Sequence, residues 1–146
     1  MPMRIMGLDV GDERIGVALS DETALLASPL DVIARVPGSA SFHRLAGIIR
    51  AHAVERIVVG LPLLPDGSEG KQVASTRAYL RGLTRYVDVP VVLWDERYTS
   101  VEAEEIAARN RPRRRQLGRR ARPVDHIAAA VILQEYLDHF RGGSSL

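Results

Sequence analysis

Four carboxylates in this chain stand where secondary-structure elements end. Asp9 lies near the end of the apolar run Arg4–Val10, Asp95 and Glu96 close the run that begins at Pro90, and Asp125 opens the last amphipathic stretch. A charge at the end of a buried strand is costly unless a cation answers it. Asp and Glu without a His or Cys cluster suit hard, oxygen-seeking ions such as Mg²⁺ or Mn²⁺. Ligands in open α/β sheets gather at the carboxyl ends of parallel strands. The residue types therefore suggest one metal site shared by Asp9, Asp125 and either Asp95 or Glu96. Strand alternation leaves that last choice open, because neighbours on a strand point to opposite faces.

The elements that must carry these groups follow from hydrophobic spacing. Arg4–Val10 has apolar residues of both parities, as a strand covered on both faces does. Gly11-Asp-Glu reads as a turn with Gly11 free to take positive φ, and Arg14–Ser20 returns as a second strand. After a turn at Asp21-Glu-Thr, Leu26–Val36 is a third extended stretch in which Pro29 marks an edge. These three form an antiparallel meander. Phe42, Leu45, Ile48, Ile49 and His52 then recur at helical spacing. Ile57–Val59 is a buried strand ended by Gly60-Leu-Pro62, and a loop follows over Leu63–Gly70. Val73, Leu80, Leu83 and Val87 mark a second helix, and Pro90–Trp94 the last strand. Thr99-x-x-Glu102 is a capping box opening a helix to about Arg109. Asp125–Phe140 is the final helix. The order is β-β-β-α-β-α-β-α-α, in which the later strands run parallel through right-handed crossovers. The expectation is one α/β domain over residues 1–140, with a flexible tail over 141–146.

Composition narrows the function classes. The chain has 146 residues, no cysteine and a formal net charge of +2. Disulfides and thiolate zinc sites are excluded. No apolar run approaches the ~20 residues of a membrane span, and Gly7, Asp9 and Gly11 interrupt any signal-peptide pattern. A cytoplasmic protein without a membrane partner is expected. The charge is uneven: eight of the 20 basic residues are the arginines from Arg109 to Arg122, which leaves 12 basic against 18 acidic residues elsewhere. One basic segment on an acidic body suggests contact with a polyanion at one place.

Four pieces of sequence, in order, then resemble a known family. They are Gly7-Leu-Asp-Val-Gly11 with Arg14-Ile-Gly-Val-Ala18, Val59-Gly-Leu-Pro62 with Asp66-Gly67, Asp95-Glu-Arg-Tyr-Thr-Ser100, and Asp125-His-Ile-Ala-Ala-Ala-Val-Ile-Leu-Gln-Glu-Tyr-Leu137. The chain is similar over nearly its whole length to the YqgF/RuvX family of Holliday-junction-resolvase-like and ribosomal-RNA-processing nucleases. That family lies in the RNase H-like superfamily. The resemblance implies a five-stranded mixed sheet, three antiparallel strands followed by parallel ones, flanked by helices. It implies a catalytic and metal-binding set of Asp9, Glu96 and Asp125, with Asp95 as rival to Glu96.

The implied chemistry is two-metal phosphodiester hydrolysis with Mg²⁺ or Mn²⁺, leaving 5′-phosphate and 3′-hydroxyl ends. Maturation of the 5′ end of pre-16S ribosomal RNA is the first substrate expectation. Cleavage of branched DNA is the alternative, and it requires a homodimer. The small residues Ala128–Ala130 let the last helix lie close to the sheet, which brings Asp125 within reach of Asp9. Arg14 and Arg97 flank the acidic groups, and either could hold a phosphate. Arg111, Arg113, Arg114, Arg115, Arg119, Arg120 and Arg122 are the further candidates for nucleic-acid binding.

Two readings of other classes compete. A strand, glycine turn and strand bearing an aspartate also resembles the phosphate hairpin of actin/hexokinase-type ATPases, which need two related domains around a nucleotide cleft. A non-catalytic nucleic-acid-binding factor would use the arginine segment alone, and intact acidic positions argue against it. Gly60-Leu-Pro62 and Gly67 lack the Walker pattern and read as shaping a loop beside the site. Trp94 reads as packing.

Overall fold

The computed structural model describes residues 3–96 and 123–144, with the side chains of residues 127–140 in the closing helix. Five strands form one sheet: β1 (Arg4–Val10), β2 (Arg14–Ser20), β3 (Ala27–Ala34), β4 (Val54–Leu61) and β5 (Val91–Asp95). Among the described residues three helices accompany them: α1 (Ala40–His52), α2 (Lys71–Leu83) and α3 (Pro123–Ser144). The strand order is β3-β2-β1-β4-β5. β1–β2 and β2–β3 are antiparallel, whereas β1–β4 and β4–β5 are parallel. The meander and the parallel half expected from the sequence are both present.

The double-sided pattern of β1 explains its central place. Met6, Leu8 and Val10 pack against Leu45 and Ile49 of α1 and Tyr79, Leu80 and Leu83 of α2. The alternate positions turn to the other face, where Ile5 joins Ala129, Ile132, Leu133, Tyr136 and Leu137 of α3. The sheet is thus filled on both sides, with α1 and α2 on one face and α3 on the other. Most of the favourable free energy of folding comes from this burial. A hydroxyl pair sits inside the first layer, where Ser41 Oγ and Tyr79 Oη lie 2.7 Å apart. Burial pushes the Tyr79 hydroxyl pKa up.

β3 is an edge strand, as Pro29 required. Pro29 stands opposite Ala18, where the β2–β3 register shifts between Val17 and Ala18. Proline cannot donate to a ladder, so an edge with a local irregularity tolerates it. The start of β3 is tied to α3: the Ala27 amide donates to Gln134 Oε1 (2.8 Å), and Gln134 Nε2 donates to the Leu25 carbonyl (2.9 Å).

Three expectations change. Gly11 has no positive φ; among the described glycines that conformation occurs at Gly38 and Gly67. The glycine is required at position 11 by close approach. Its amide donates to the Arg14 carbonyl at 2.8 Å, and a Cβ there would lie 2.9 Å from the same oxygen. The second helix ends at Leu83, with Thr84 as its cap, and Val87 packs from the following segment. The closing helix begins at Pro123, an ordinary first-turn proline, and runs on to Ser144, past the expected end at Phe140. The Thr99–Arg109 helix and the arginine-rich segment lie outside the described residues. Among the described residues no helix is long and apolar enough to cross a membrane.

Candidate metal centre

Asp9 is the last residue but one of β1, and alternation puts it on the α3 side with Ile5 and Gly7. It is partly buried and stands opposite Gly16 of β2. On β5, Val92 and Trp94 belong to the α3-side cluster, whereas Val91 packs on the α1/α2 side. Continuing that alternation, Asp95 turns toward the α1/α2 side and Glu96 toward the α3 side. The Gly60 contact agrees. A Cβ built on Gly60 meets both Glu96 Oε2, at 2.5 Å, and Ile132 Cδ1 of α3, at 2.6 Å. Glu96 therefore lies across β4 on the face that carries Asp9.

The electrostatics record the same proximity. The Glu96 carboxyl is pushed up to about 7, first by burial, then by the charge of Asp9, and last by that of Asp95. Two carboxylates sharing a partly desolvated site oppose each other's ionisation. A hard divalent cation would relieve both penalties, so the donor set fits such an ion. Among the described residues no group of three His, Cys, Asp or Glu side chains is placed to hold a metal. Asp9 and Glu96 are a pair, and the side chain of Asp125 lies outside the described residues.

The backbone of Asp125 can be located. Gly7 lies beneath α3, since a Cβ there would be 2.8 Å from Leu133 Cβ and 3.0 Å from the Ala129 carbonyl oxygen. Further along α3, Tyr136 Oη accepts a hydrogen bond from Arg56 Nη1 near the start of β4 (2.9 Å). α3 therefore runs from the carboxyl end of β1 toward its amino end. Asp125 falls one turn before Ala129, at the end of the sheet that holds Asp9. The close helix–sheet approach expected from Ala128–Ala130 is present, made possible as much by Gly7.

Arg14 opens β2 and, by alternation with Gly16 and Ala18, projects from the Asp9 face. Its Nη1 lies 3.9 Å from Glu13 Oε1, and its side chain is 39% exposed. That location suits a phosphate contact. Arg97, Arg111, Arg113, Arg114, Arg115, Arg119, Arg120 and Arg122 lie outside the described residues. Trp94 packs against Tyr136 and His139 (ring centroids 5.8 and 5.2 Å).

Sequence reasoning missed the clamp that holds the β1–β2 turn. Arg35 Nη1 donates to the Gly11 carbonyl and to Ser75 Oγ, both at 2.9 Å, and Nη2 donates to the Ser75 carbonyl at 3.1 Å. Its guanidinium lies 5.0 Å from the centre of the Tyr79 ring. Ser75 Oγ also bonds Asp12 Oδ1 at 2.9 Å, and Gln72 Nε2 approaches Asp12 Oδ2 at 3.4 Å. The turn that leaves the Asp9 strand is thus fastened to α2. No local pattern marks Arg35, because its partners are remote in sequence.

A mixed sheet in this order, with carboxylates meeting at the carboxyl ends of β1 and β5 beneath a crossing helix, is the RNase H-like arrangement. The structure is similar to that of Thermus thermophilus RuvC in complex with a Holliday junction substrate. The TM-score is 0.64 at 18% identity, over 96% of each chain. It is similar also to the fowlpox virus Holliday junction resolvase, with a TM-score of 0.52 at 10% identity over 94% of this chain and 99% of that one. The RuvX family model, described as Holliday junction resolvase, matches residues 3–139. A Roseiflexus protein named as a candidate pre-16S rRNA nuclease is 44% identical over 140 residues, 96% of this chain and 97% of its own. A Pelotomaculum thermopropionicum protein of the same name is 46% identical, over 93% and 87% respectively. The chain belongs to the RuvX family.

Proposed function

We propose that this protein is a divalent-metal-dependent nuclease of the cytoplasm that hydrolyses phosphodiester bonds in precursor ribosomal RNA. The observation that carries the reading is the convergence of Glu96 and Asp9 on one sheet face, where burial and mutual repulsion raise the Glu96 pKa to about 7. Paired, partly desolvated carboxylates at strand ends form a cation site in waiting, and pKa values perturbed in this way collect at functional sites. The relatives' names support the RNA substrate.

The placement of Asp9, Glu96 and Arg14 supports one division of roles. Asp9, Glu96 and Asp125 would hold Mg²⁺ or Mn²⁺, with two ions the expected complement. Bound there, such ions supply Lewis acidity to the scissile phosphate and an acidified water as nucleophile. Burial and the Asp9 charge raise the Glu96 carboxyl to about 7, so a bound cation would favour its ionised form. Arg14 stands on the same face to neutralise a neighbouring phosphate. The arginines from Arg111 to Arg122 supply sequence-independent affinity for the backbone. The Arg35 clamp holds the turn between Asp9 and Arg14 in one position.

The family description favours a second reading, cleavage of a four-way DNA junction. Cutting two strands in concert needs two active sites, hence a homodimer. One assay separates the readings. Purified protein and Asp9→Asn are incubated with precursor small-subunit ribosomal RNA, single-stranded DNA and a four-way junction, each with Mg²⁺, Mn²⁺ or EDTA. Metal-dependent cutting of the RNA that Asp9→Asn abolishes is the expected result. Preferential cutting of the junction would move the assignment to the resolvase. Binding without cutting in every condition would sink the nuclease reading.

A further inference from the structure

Glu96 reaches the Asp9 face across a position that has no side chain of its own. Gly60 pairs with Trp94 in the parallel β4–β5 register and lies between the strands that carry the two carboxylates. A Cβ there would stand 2.5 Å from Glu96 Oε2, 2.8 Å from Glu96 Cγ and 2.6 Å from Ile132 Cδ1. All three contacts are shorter than folded proteins sustain. Ile132 is only 2% exposed, held between α3 and the sheet, so it has little freedom to withdraw. A glycine inside a strand weakens it and marks a close approach by another group. Here the approaching group is the Glu96 carboxylate.

Gly7 provides the contrast. It lies on the same face, and a Cβ there would also clash, but only with Leu133 and the Ala129 backbone. Gly7 admits a helix, whereas Gly60 admits an acid. We propose that Gly60 is a positioning residue of the carboxylate pair. Its bare Cα leaves the space in which Glu96 lies over β4 toward Asp9, and any side chain at position 60 displaces that carboxylate. The inference rests on the metal-site reading above for its consequence, but not for its geometry.

The test titrates Mn²⁺ into the full chain by calorimetry and, in parallel, determines crystal structures of the variants. The variants are Asp9→Asn, Gly7→Ala, Gly60→Ala, Ile132→Val and Gly60→Ala/Ile132→Val. The double variant removes Ile132 Cδ1, so only the Glu96 overlap remains and loss of fold is avoided. Gly60→Ala and the double variant are expected to bind Mn²⁺ about 10–100-fold more weakly, the usual effect of disturbing a ligand's support. Their structures should show Glu96 turned away from Asp9. Ile132→Val should keep wild-type affinity, whereas Gly7→Ala, which presses on the α3 backbone and so on Asp125, should weaken binding with Glu96 still turned toward Asp9. A folded double variant with Glu96 unmoved and Mn²⁺ affinity unchanged would overturn the proposal. A wild-type protein that binds no Mn²⁺ would instead overturn the metal-site reading, and the variant structures would then decide the role of Gly60 by themselves.

Discussion

Glu96 folds over β4 onto the face that carries Asp9, and its carboxyl is pushed up to about 7 by burial and then by the Asp9 charge. Neither strand is unusual alone. The perturbation exists because a parallel register brings the carboxyl ends of β1, β4 and β5 side by side. Each acid is tolerable in its own strand, and together they hold a charge deficit that a cation can fill.

Stability of the metal-free protein should therefore depend on pH in a defined direction. The folded-state pKa of Glu96, about 7, lies above its ordinary 4.5, so the native state holds the proton more tightly than the unfolded chain. This stabilisation is complete below pH 4.5 and is lost as pH rises through 7. Its full span is on the order of 3 kcal/mol. Calorimetric melts in EDTA from pH 5 to 8 should show wild-type Tm falling relative to Glu96→Gln. Mg²⁺ or Mn²⁺ at pH 8 should restore it. Parallel profiles for the two proteins would remove Glu96 from the linkage.

The two neighbouring acids at the end of β5 should separate sharply in activity. Alternation sends Glu96 to the Asp9 face and Asp95 to the opposite one. Glu96→Gln should lower the rate of RNA cleavage by about 100-fold or more, the scale expected for losing a charge-stabilising group. Asp95→Asn should stay within about threefold, since Asp95 turns to the opposite face and acts on Glu96 through space. Single-turnover rates at saturating Mn²⁺ measure both. A larger loss for Asp95→Asn than for Glu96→Gln would reverse the assignment.

Much of this arrangement is legible in the sequence. The double-sided pattern of Arg4–Val10, the edge mark at Pro29 and the acids at element ends gave the sheet and its Asp9 corner, because periodicity and turn chemistry act locally. The choice between Asp95 and Glu96 was not legible from the residues alone. It depends on which face α3 covers, and that is a tertiary fact. Gly11 misled for a related reason: the conformational freedom of glycine is visible in sequence, but its use for close approach to the Arg14 carbonyl is not. Gly60 and Arg35 stayed hidden because their partners, Glu96 and Ser75, are distant along the chain.

The arginine-rich segment should govern affinity and leave the chemistry alone. Its eight arginines between Arg109 and Arg122 repel one another unless a polyanion neutralises them. Neutralising Arg113, Arg114, Arg115, Arg119 and Arg120 to glutamine should weaken binding and flatten its salt dependence. Each lost phosphate contact should reduce the log–log slope by roughly 0.7–0.9. Fluorescence anisotropy across a salt series gives the slope directly. A slope equal to wild type would place the segment outside the interface.

Arg35 should control the rigidity of the turn between Asp9 and Arg14. Its guanidinium bonds the Gly11 carbonyl and both oxygens of Ser75 while lying over Tyr79, so one side chain joins the turn to α2. Arg35→Ala leaves those acceptors to water or to nothing, at a cost of about 1–3 kcal/mol. Arg35→Lys keeps the charge but loses the planar fork, so it should recover only part of that cost. The loss should be local. The Gly11 amide, bonded to the Arg14 carbonyl, should exchange with solvent faster in both variants, while the Val58 and Val59 amides in the middle of β4 keep their protection. Should the Gly11 amide exchange at the wild-type rate in Arg35→Ala, the clamp has no hold on the turn and the contacts are packing alone.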